Sequence, residues 1–414
     1  MPSMTETGVP AGRLIAGLLA CLALAGTAVA VRAEPQAAVD AEAPALYRVI
    51  HLRPQISLTS LPDINARDQV VFGLETPVGQ RGFFYDGTRV RDIGTLGGPS
   101  TWVAKLNDAG QVTGRSEVAR DTHHAFVWSV DGGMVDLGTL PEASHSVGND
   151  INNHGVVTGT SWGDFVPPHA FRWSAESGME DLGAFTTGIA GISYGQAIND
   201  AGLITGVSDT EEPARHAFVW TRETGLVDIH TLAGQDSYPV AVGAAGEVAG
   251  HYLVDGRYRA FLWTAATGMR DLGTAGGNES LVIAMSDNAR IAGVINLPDE
   301  IQHAMTWTRA GGMVDLGTLG GVHSRALDVN NKGQVVGAAR NAAGQFRGFV
   351  WSAGRGMVDL NTRLRNAPPG LVVGAASAIS GNGAIVAESS AGLVLLKPCC
   401  GERPRGAPTP APAR

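Results

Sequence analysis

The sequence predicts an all-β protein, a β-propeller of eight four-stranded blades. Three observations predict it: a repeating unit of nearly constant length, four β-like runs inside each unit, and chain ends whose missing and surplus strands complement one another. The run Arg81-Gly82-Phe83-Phe84-Tyr85 returns as His124 to Trp128, His169 to Trp173, His216 to Trp220, Arg259 to Trp263, His303 to Trp307 and Arg347 to Trp351. The steps between copies are 43, 45, 47, 43, 44 and 44 residues, and one more step of that size reaches Ala391 to Leu395, a worn eighth copy. A period of roughly 40 to 50 residues with four short strands is that of a propeller blade. Seven blades and an open β-solenoid are the alternatives.

Within a unit the four runs follow one another with clear turn signals. In the copy around Asn152 they cover roughly Ser146 to Asn152, Val156 to Gly159, His169 to Trp173 and Met179 to Leu182. The first turn is Asn-x-x-Gly, recurring with its first position at Asn65, Asn107, Asn152, Asn199, Gly243, Ser286, Asn330 and Ser380. Asn bonds its own backbone and Gly accepts a positive φ, so the pair makes a tight hairpin. A small residue stands six positions earlier in every copy, from Thr59 and Thr101 through Ser146, Ser193, Ser237, Ser280 and Ser324 to Gly374. The fourth run carries an acid, at Asp92, Asp136, Asp181, Asp228, Asp271, Asp315 and Asp359, which gives seven copies rather than eight. The eighth stands at the other end of the chain, where Tyr47-Arg48-Val49-Ile50-His51-Leu52 alternates in the same way. A chain that begins with strand four and ends with strands one to three closes a ring and removes two open sheet edges.

Composition agrees with this reading. The 414 residues include 56 glycines and three lysines (Lys105, Lys332, Lys397), with 17% charged residues, and no segment holds the 3.6 periodicity of a long helix. The His-Ala-Phe-x-Trp, Asp-Leu-Gly-Thr-Leu-Gly-Gly and Ile-Asn-x-x-Gly-x-Val-x-Gly runs resemble the HAF-repeat family of probable extracellular repeat proteins. The resemblance spans about residues 47 to 396 and implies a secreted or surface bacterial protein without a defined activity. The copies at Arg81, Arg259 and Arg347 replace the name-giving His.

The N-terminus reads as an export signal: Arg13 precedes the apolar run Leu14 to Val31, with small residues before cleavage points after Ala30 or Ala33. Leu18-Leu19-Ala20-Cys21 also resembles a lipobox, which makes Cys21 a lipidation candidate, and the run of 18 residues reaches the lower length for an uncleaved anchor. The expected organisation is a signal over 1–33, a linker over 34–46, the propeller over 47–397 and a Pro/Ala-rich disordered tail over 398–414. Cys399 and Cys400 are too close in sequence to bridge each other readily.

The net charge of −9 becomes −10 without residues 1–33, which carry Glu6, Arg13 and Arg32, so neither nucleic acid nor an anionic membrane is an expected partner. Membrane contact is expected only through an uncleaved signal or a lipid on Cys21. Asp150-Ile151-Asn152-Asn153-His154-Gly155 begins like a calcium loop, but Ser161 stands where the bidentate acid belongs. The repeated histidines and the six repeated tryptophans read as structural; Trp102 and Trp162 fall outside the repeat. No catalytic fingerprint is visible, and no cofactor, metal or catalytic residue is expected.

A binding site is expected among residues that do not repeat. The second-to-third loops and the inter-blade loops share one face and vary in length, and variable loops on a rigid scaffold carry recognition. Trp162, Asp164, Phe165, Asp209, Glu211, Glu212, Tyr252 and Tyr258 are the ligand-binding candidates, with Glu117, Asp121, Asp299 and Glu300 on the same face. The reading is a monomeric, exported, non-catalytic scaffold, periplasmic, extracellular or on the cell surface, that binds a glycan, peptide or protein. A secreted hydrolase or lyase using Asp164 with Asp209 or Glu212 is one alternative, and a structural or adhesive surface protein is the other.

Overall fold

In the computed structural model the described residues are 46–54, 57–188 and 191–399. The signal, Cys21, nearly all of the linker, Cys400 and the tail from 401 lie outside them. The described residues form eight sheets arranged as an eight-bladed β-propeller; seven are meanders of four consecutive strands, and the eighth joins strands from both ends of the chain. Blade 3 is typical, with strands His145–Ile151, Val157–Trp162, His169–Ser174 and Gly178–Asp181. Among the described residues no helix is long and apolar enough to cross a membrane.

First strands touch first strands all the way round, and Val373–Ile379 of blade 8 meets Asp63–Ile64 of blade 1. They are therefore the inner edges of the ring. Blade 8 is completed by the N-terminal strand Leu46–Arg53, which runs antiparallel to Gly392–Cys399 from Leu46 opposite Cys399 to Arg53 opposite Leu393. That last strand reaches two residues beyond the expected boundary at 397. A fifth strand, Leu364–Arg365, lies parallel on the outer side of Leu46–Arg53; the repeat gives no hint of it because it belongs to an insertion unique to the last connection. Tyr47 is 2% exposed and packs with Leu360, Val394 and Leu396.

The repeated residues turn out to be the bonds between strands and between blades. Each motif His holds the acid that ends strand four of its own blade, His124 with Asp136 at 2.9 Å, His169 with Asp181 at 2.9 Å, His216 with Asp228 at 2.7 Å and His303 with Asp315 at 2.8 Å. Arg81 and Arg259 do the same with Asp92 and Asp271, so the substitution keeps the interaction. The same acids accept the N–H of the glycine two residues on, as from Gly138, Gly183 and Gly317, which accounts for Asp-Leu-Gly as a unit.

Blades are joined by the small residue and by the Asn. Ser146, Ser193, Ser237, Ser280 and Ser324 each accept the N–H of the motif alanine of the preceding blade. Asn65, Asn107, Asn152 and Asn199 each donate to the carbonyl of the equivalent residue one blade ahead, at 2.9 to 3.0 Å. The Asn oxygen meanwhile accepts amides of its own turn, as from His154 and Val156 onto Asn152. Between these lines of bonds the motif aromatics fill the space: Phe126, Phe171, Phe218, Phe261 and Phe349 are fully buried, and Trp128 and Trp220 are 6% exposed.

Not all glycines are turn residues, as the composition suggests at first sight. Gly114, Gly159, Gly206, Gly250, Gly293 and Gly337 stand inside second strands, and a Cβ there would lie about 2 Å from a first-strand carbonyl oxygen (1.8 Å from Val147 O at Gly159). The first strand bulges at this point, between Gly148 and Asp150 in blade 3, and brings its backbone in.

At the bulge four charged residues occupy equivalent inner-strand positions: Asp63, Lys105, Asp150 and Asp328. Each acid accepts an amide of the next blade, from Leu106, Ile198 and Ile379 respectively, so Asp150 spends both oxygens on backbone amides rather than on a cation. Lys105 lies 3.9 Å from Asp63. Burial pushes the Asp328 carboxyl up to about 6, against the pull of its two amide bonds and of Lys105. Because the folded form holds this proton to higher pH than the unfolded form, whose carboxyl sits near ~3.9, the Asp328 contribution to stability is complete below about pH 4 and lost as pH rises through 6. Denaturant titrations at pH 5 and 7 are expected to show this loss in the native chain and not in Asp328→Asn.

Candidate functional site

The two ring faces differ. One carries the tight first-to-second and third-to-fourth turns; the other, the loop face, carries the second-to-third and inter-blade loops. On the loop face the positions flanking the repeated small residue, and the residue just before the motif His, change identity from copy to copy. These variable side chains meet at the blade interfaces.

Between blades 4 and 5 they form a cleft of about 430 Å³, lined by Ile192, Asp209, Glu212, Arg215, Asp236 and Tyr238 among others. Blade 4 supplies strand Ile204–Asp209, the loop to Arg215 and strand Arg215–Thr221; blade 5 supplies the start of Asp236–Val242. Arg215 is fixed from three sides. Its Nε donates to Asp209 at 2.9 Å, its backbone N donates to Asp236 at 2.9 Å, and its guanidinium lies 5.9 Å from the Tyr194 ring centre. Burial opposes the Arg215 charge, but Asp209 and Tyr194 outweigh it and hold its pKa above the ordinary range. The Tyr238 hydroxyl donates to Asp236 at 3.2 Å; burial and then that carboxylate push the phenol up. Glu212 makes no ion pair among the described residues, so with Arg215 engaged by Asp209 the cleft keeps a surplus of negative charge and of acceptors.

Between blades 2 and 3 four rings stand in a row, three at these positions and the fourth, Trp162, at the end of strand two. Trp102 meets His123 edge-on at 5.0 Å, His123 is 6.0 Å from His145, and His145 stacks on Trp162 at 5.3 Å with 16° between planes. Arg115 lies over the Trp102 ring at 4.5 Å. Burial, then Arg115 and His145, lower the His123 pKa to about 4, and burial lowers that of His145, so both rings are neutral near pH 7. Between blades 5 and 6 the set is Tyr238, His251 and Tyr258, with Glu279 receiving the Tyr258 N–H.

Of the expected site residues, Asp209 and Glu212 come together in the cleft, with Glu211 exposed on the same loop. Trp162, Asp164 and Phe165 lie together at the end of blade 3, Phe165 96% exposed. Tyr258 belongs to the blade 5 and 6 set. Tyr252 does not face the loop surface: it is 5% exposed and packs with Val248 and Phe261, because its position in strand two is the inward one where other copies have Ser116, Ser161 and Ser208. Arg215, Asp236, Tyr238, His123 and His145 were not anticipated. Laying the eight copies over one another and reading the columns that change would have found them.

No protein-family model matches this chain, and no curated protein sequence does. Solved structures do. The chain is similar to a prolyl endopeptidase from a structural and mechanistic study of two such enzymes (8% identity, TM-score 0.53, covering 81% of this chain and 54% of that one). It is similar also to Porphyromonas gingivalis dipeptidyl peptidase 4 (9% identity, TM-score 0.51, 82% and 58%). A third is the β-propeller domain of the Trilobed protease from Pyrococcus furiosus (9%, 0.49, 77% and 97%). The chain spans little more than half the length of the first two. The likeness is one of fold, which places this protein among the β-propellers and no further.

Proposed function

We propose that this protein is an exported, non-catalytic binding propeller that holds an extracellular ligand, a glycan, peptide or protein, on its loop face. The observation that carries the reading is the cleft between blades 4 and 5, where an ordered Arg, a tyrosine ring and surplus carboxylate acceptors converge on residues the repeat does not require. Concave sites with a few fixed polar groups are where ligands bind, and the rigid ring around this one limits the ordering needed on binding. Export rests on the N-terminal run read above. Glycan and peptide arrays probed with the whole chain and with a Glu212→Gln, Tyr238→Ala variant test it. The expected result is a defined set of binders whose affinity falls about tenfold or more in the variant while its melting temperature stays close to the parent's. An array with no binders, or equal signals from both proteins, would overturn it.

A further inference from the structure

The six tryptophans at the repeated position are explained by packing, whereas Trp102 and Trp162 are not, and the fold brings those two into one row across the blade 2 and 3 interface. Other copies place Val147, Tyr194, Tyr238, Leu281 or Arg325 where Trp102 stands, and Glu117, Asp209, Leu253, Asn296 or Arg340 where Trp162 stands. The scaffold thus makes no demand for an indole at either position. Directly after Trp162 the loop Gly163 to Pro168 is pinned by a bond from Gly163 N to Val166 O and holds up Phe165, 96% exposed. An aromatic ring so fully in water is a standing loss of hydrophobic free energy unless something covers it.

We infer that this row, Trp102, His123, His145 and Trp162 with Phe165 at its end, is a stacking subsite for uncharged pyranose units of a glycan. The inference rests on the reading that the loop face binds a ligand, and it names the class. A pyranose has a face of C–H groups that lies on an aromatic plate and a rim of hydroxyls that each give and take a hydrogen bond. The row supplies both. One side of each tryptophan is already held, by Arg115 on Trp102 and by His145 on Trp162, so the plates are fixed before a ligand arrives. Glu117, Asp164 and the two neutral histidines offer the acceptors and donors around them. A peptide would look for an open sheet edge or a deep apolar pocket. The outer edges here are strands of four residues, Gly133–Asp136 and Gly178–Asp181, and the cleft among the described residues is lined mainly by polar groups. The net charge of −9 disfavours uronates and sulfated sugars.

The test is calorimetry and tryptophan fluorescence on the whole chain with soluble hexasaccharides of glucose, mannose and N-acetylglucosamine, an oligogalacturonate, and a basic and an apolar peptide. At least one uncharged hexasaccharide is expected to bind and to change the indole emission. Trp162→Ala with Phe165→Ala should weaken it about tenfold or more, and Trp162→Phe should recover most of the loss, which separates stacking from misfolding. Peptide binding without sugar binding sinks the glycan class while leaving the loop face as a binding site; no binding of any probe counts against both. Tighter binding of the galacturonate, or an unchanged affinity in the double variant, also overturns the subsite.

Discussion

Removal of residues 47 to 52 is expected to abolish cooperative unfolding, the largest effect of any short change in this chain. The segment is the fourth strand of the blade formed by the C-terminal residues, and without it the row of Val394, Leu395 and Leu396, all fully buried, becomes an open edge. An eight-part ring cannot lose one contact locally, because every blade is held by its two neighbours, and an exposed apolar edge invites pairing with another chain. Far-UV and near-UV melts should show a broad, early loss of signal with aggregation in place of one transition. Leu46 lies opposite Cys399, so a permuted chain that joins these ends by a short turn and opens elsewhere should restore the single transition. A deletion that melts like the parent would mean the closure does not hold the ring.

The second large effect is expected from a single methyl group. Gly159→Ala sets a Cβ against Val147 O at 1.8 Å, and the neighbour is backbone on a bulged inner strand, which cannot swing aside as a side chain would. Overpacking of this kind costs about 1 to 3 kcal/mol and here should lie at or above the upper end. Gly183→Ala is the comparison. That glycine has φ 77° with nothing within 4 Å of a Cβ, so only the left-handed backbone is penalised, by roughly 1 kcal/mol. Chemical denaturation of the two variants should rank them in that order, and the reverse order would refute the bulge as the reason for the strand glycines.

The difference between these glycines shows where sequence reasoning stops. The period, the four runs and the complementary ends were enough to obtain eight blades and their closure, because a repeat displays each structural demand several times. The same redundancy hid why the residues recur. His124 and Arg81 look unrelated until both are seen holding an aspartate across the third and fourth strands, and the glycine at the end of the run Val156 to Gly159 has no evident purpose until the bulge at Gly148 to Asp150 is visible. The site was legible only in part. Glu212 stands on an irregular loop and Asp209 at the strand end that leads into it, where the sequence points to variable residues; Arg215, Asp236 and Tyr238 stand on regular strands and were masked by the motif beside them. Tyr252 was misplaced for the related reason that strand parity decides whether a side chain faces in or out, and its position is inward in other copies too, where the small Ser116, Ser161 and Ser208 stand.

The line of Asn side chains has one property that none of its single bonds has: it is a hoop with a direction, each blade that carries the Asn gripping the next. The hoop lacks its amide at Gly243 and at Ser286; at the first the backbone bond Ala244 N to Asp287 O and the ion pair of Arg309 with Glu247 span the gap on the turn face, and at the second Asn288 donates to Asn331 O. Where the chain ends meet, by contrast, Ser380 and Lys397 both hold Asp68 and Asn382 holds Ala66 O. The joint that had to be made from two distant parts of the chain is the one riveted several times over. The missing amides lie in mid-chain, between blades that are continuous in sequence and need no help to find each other.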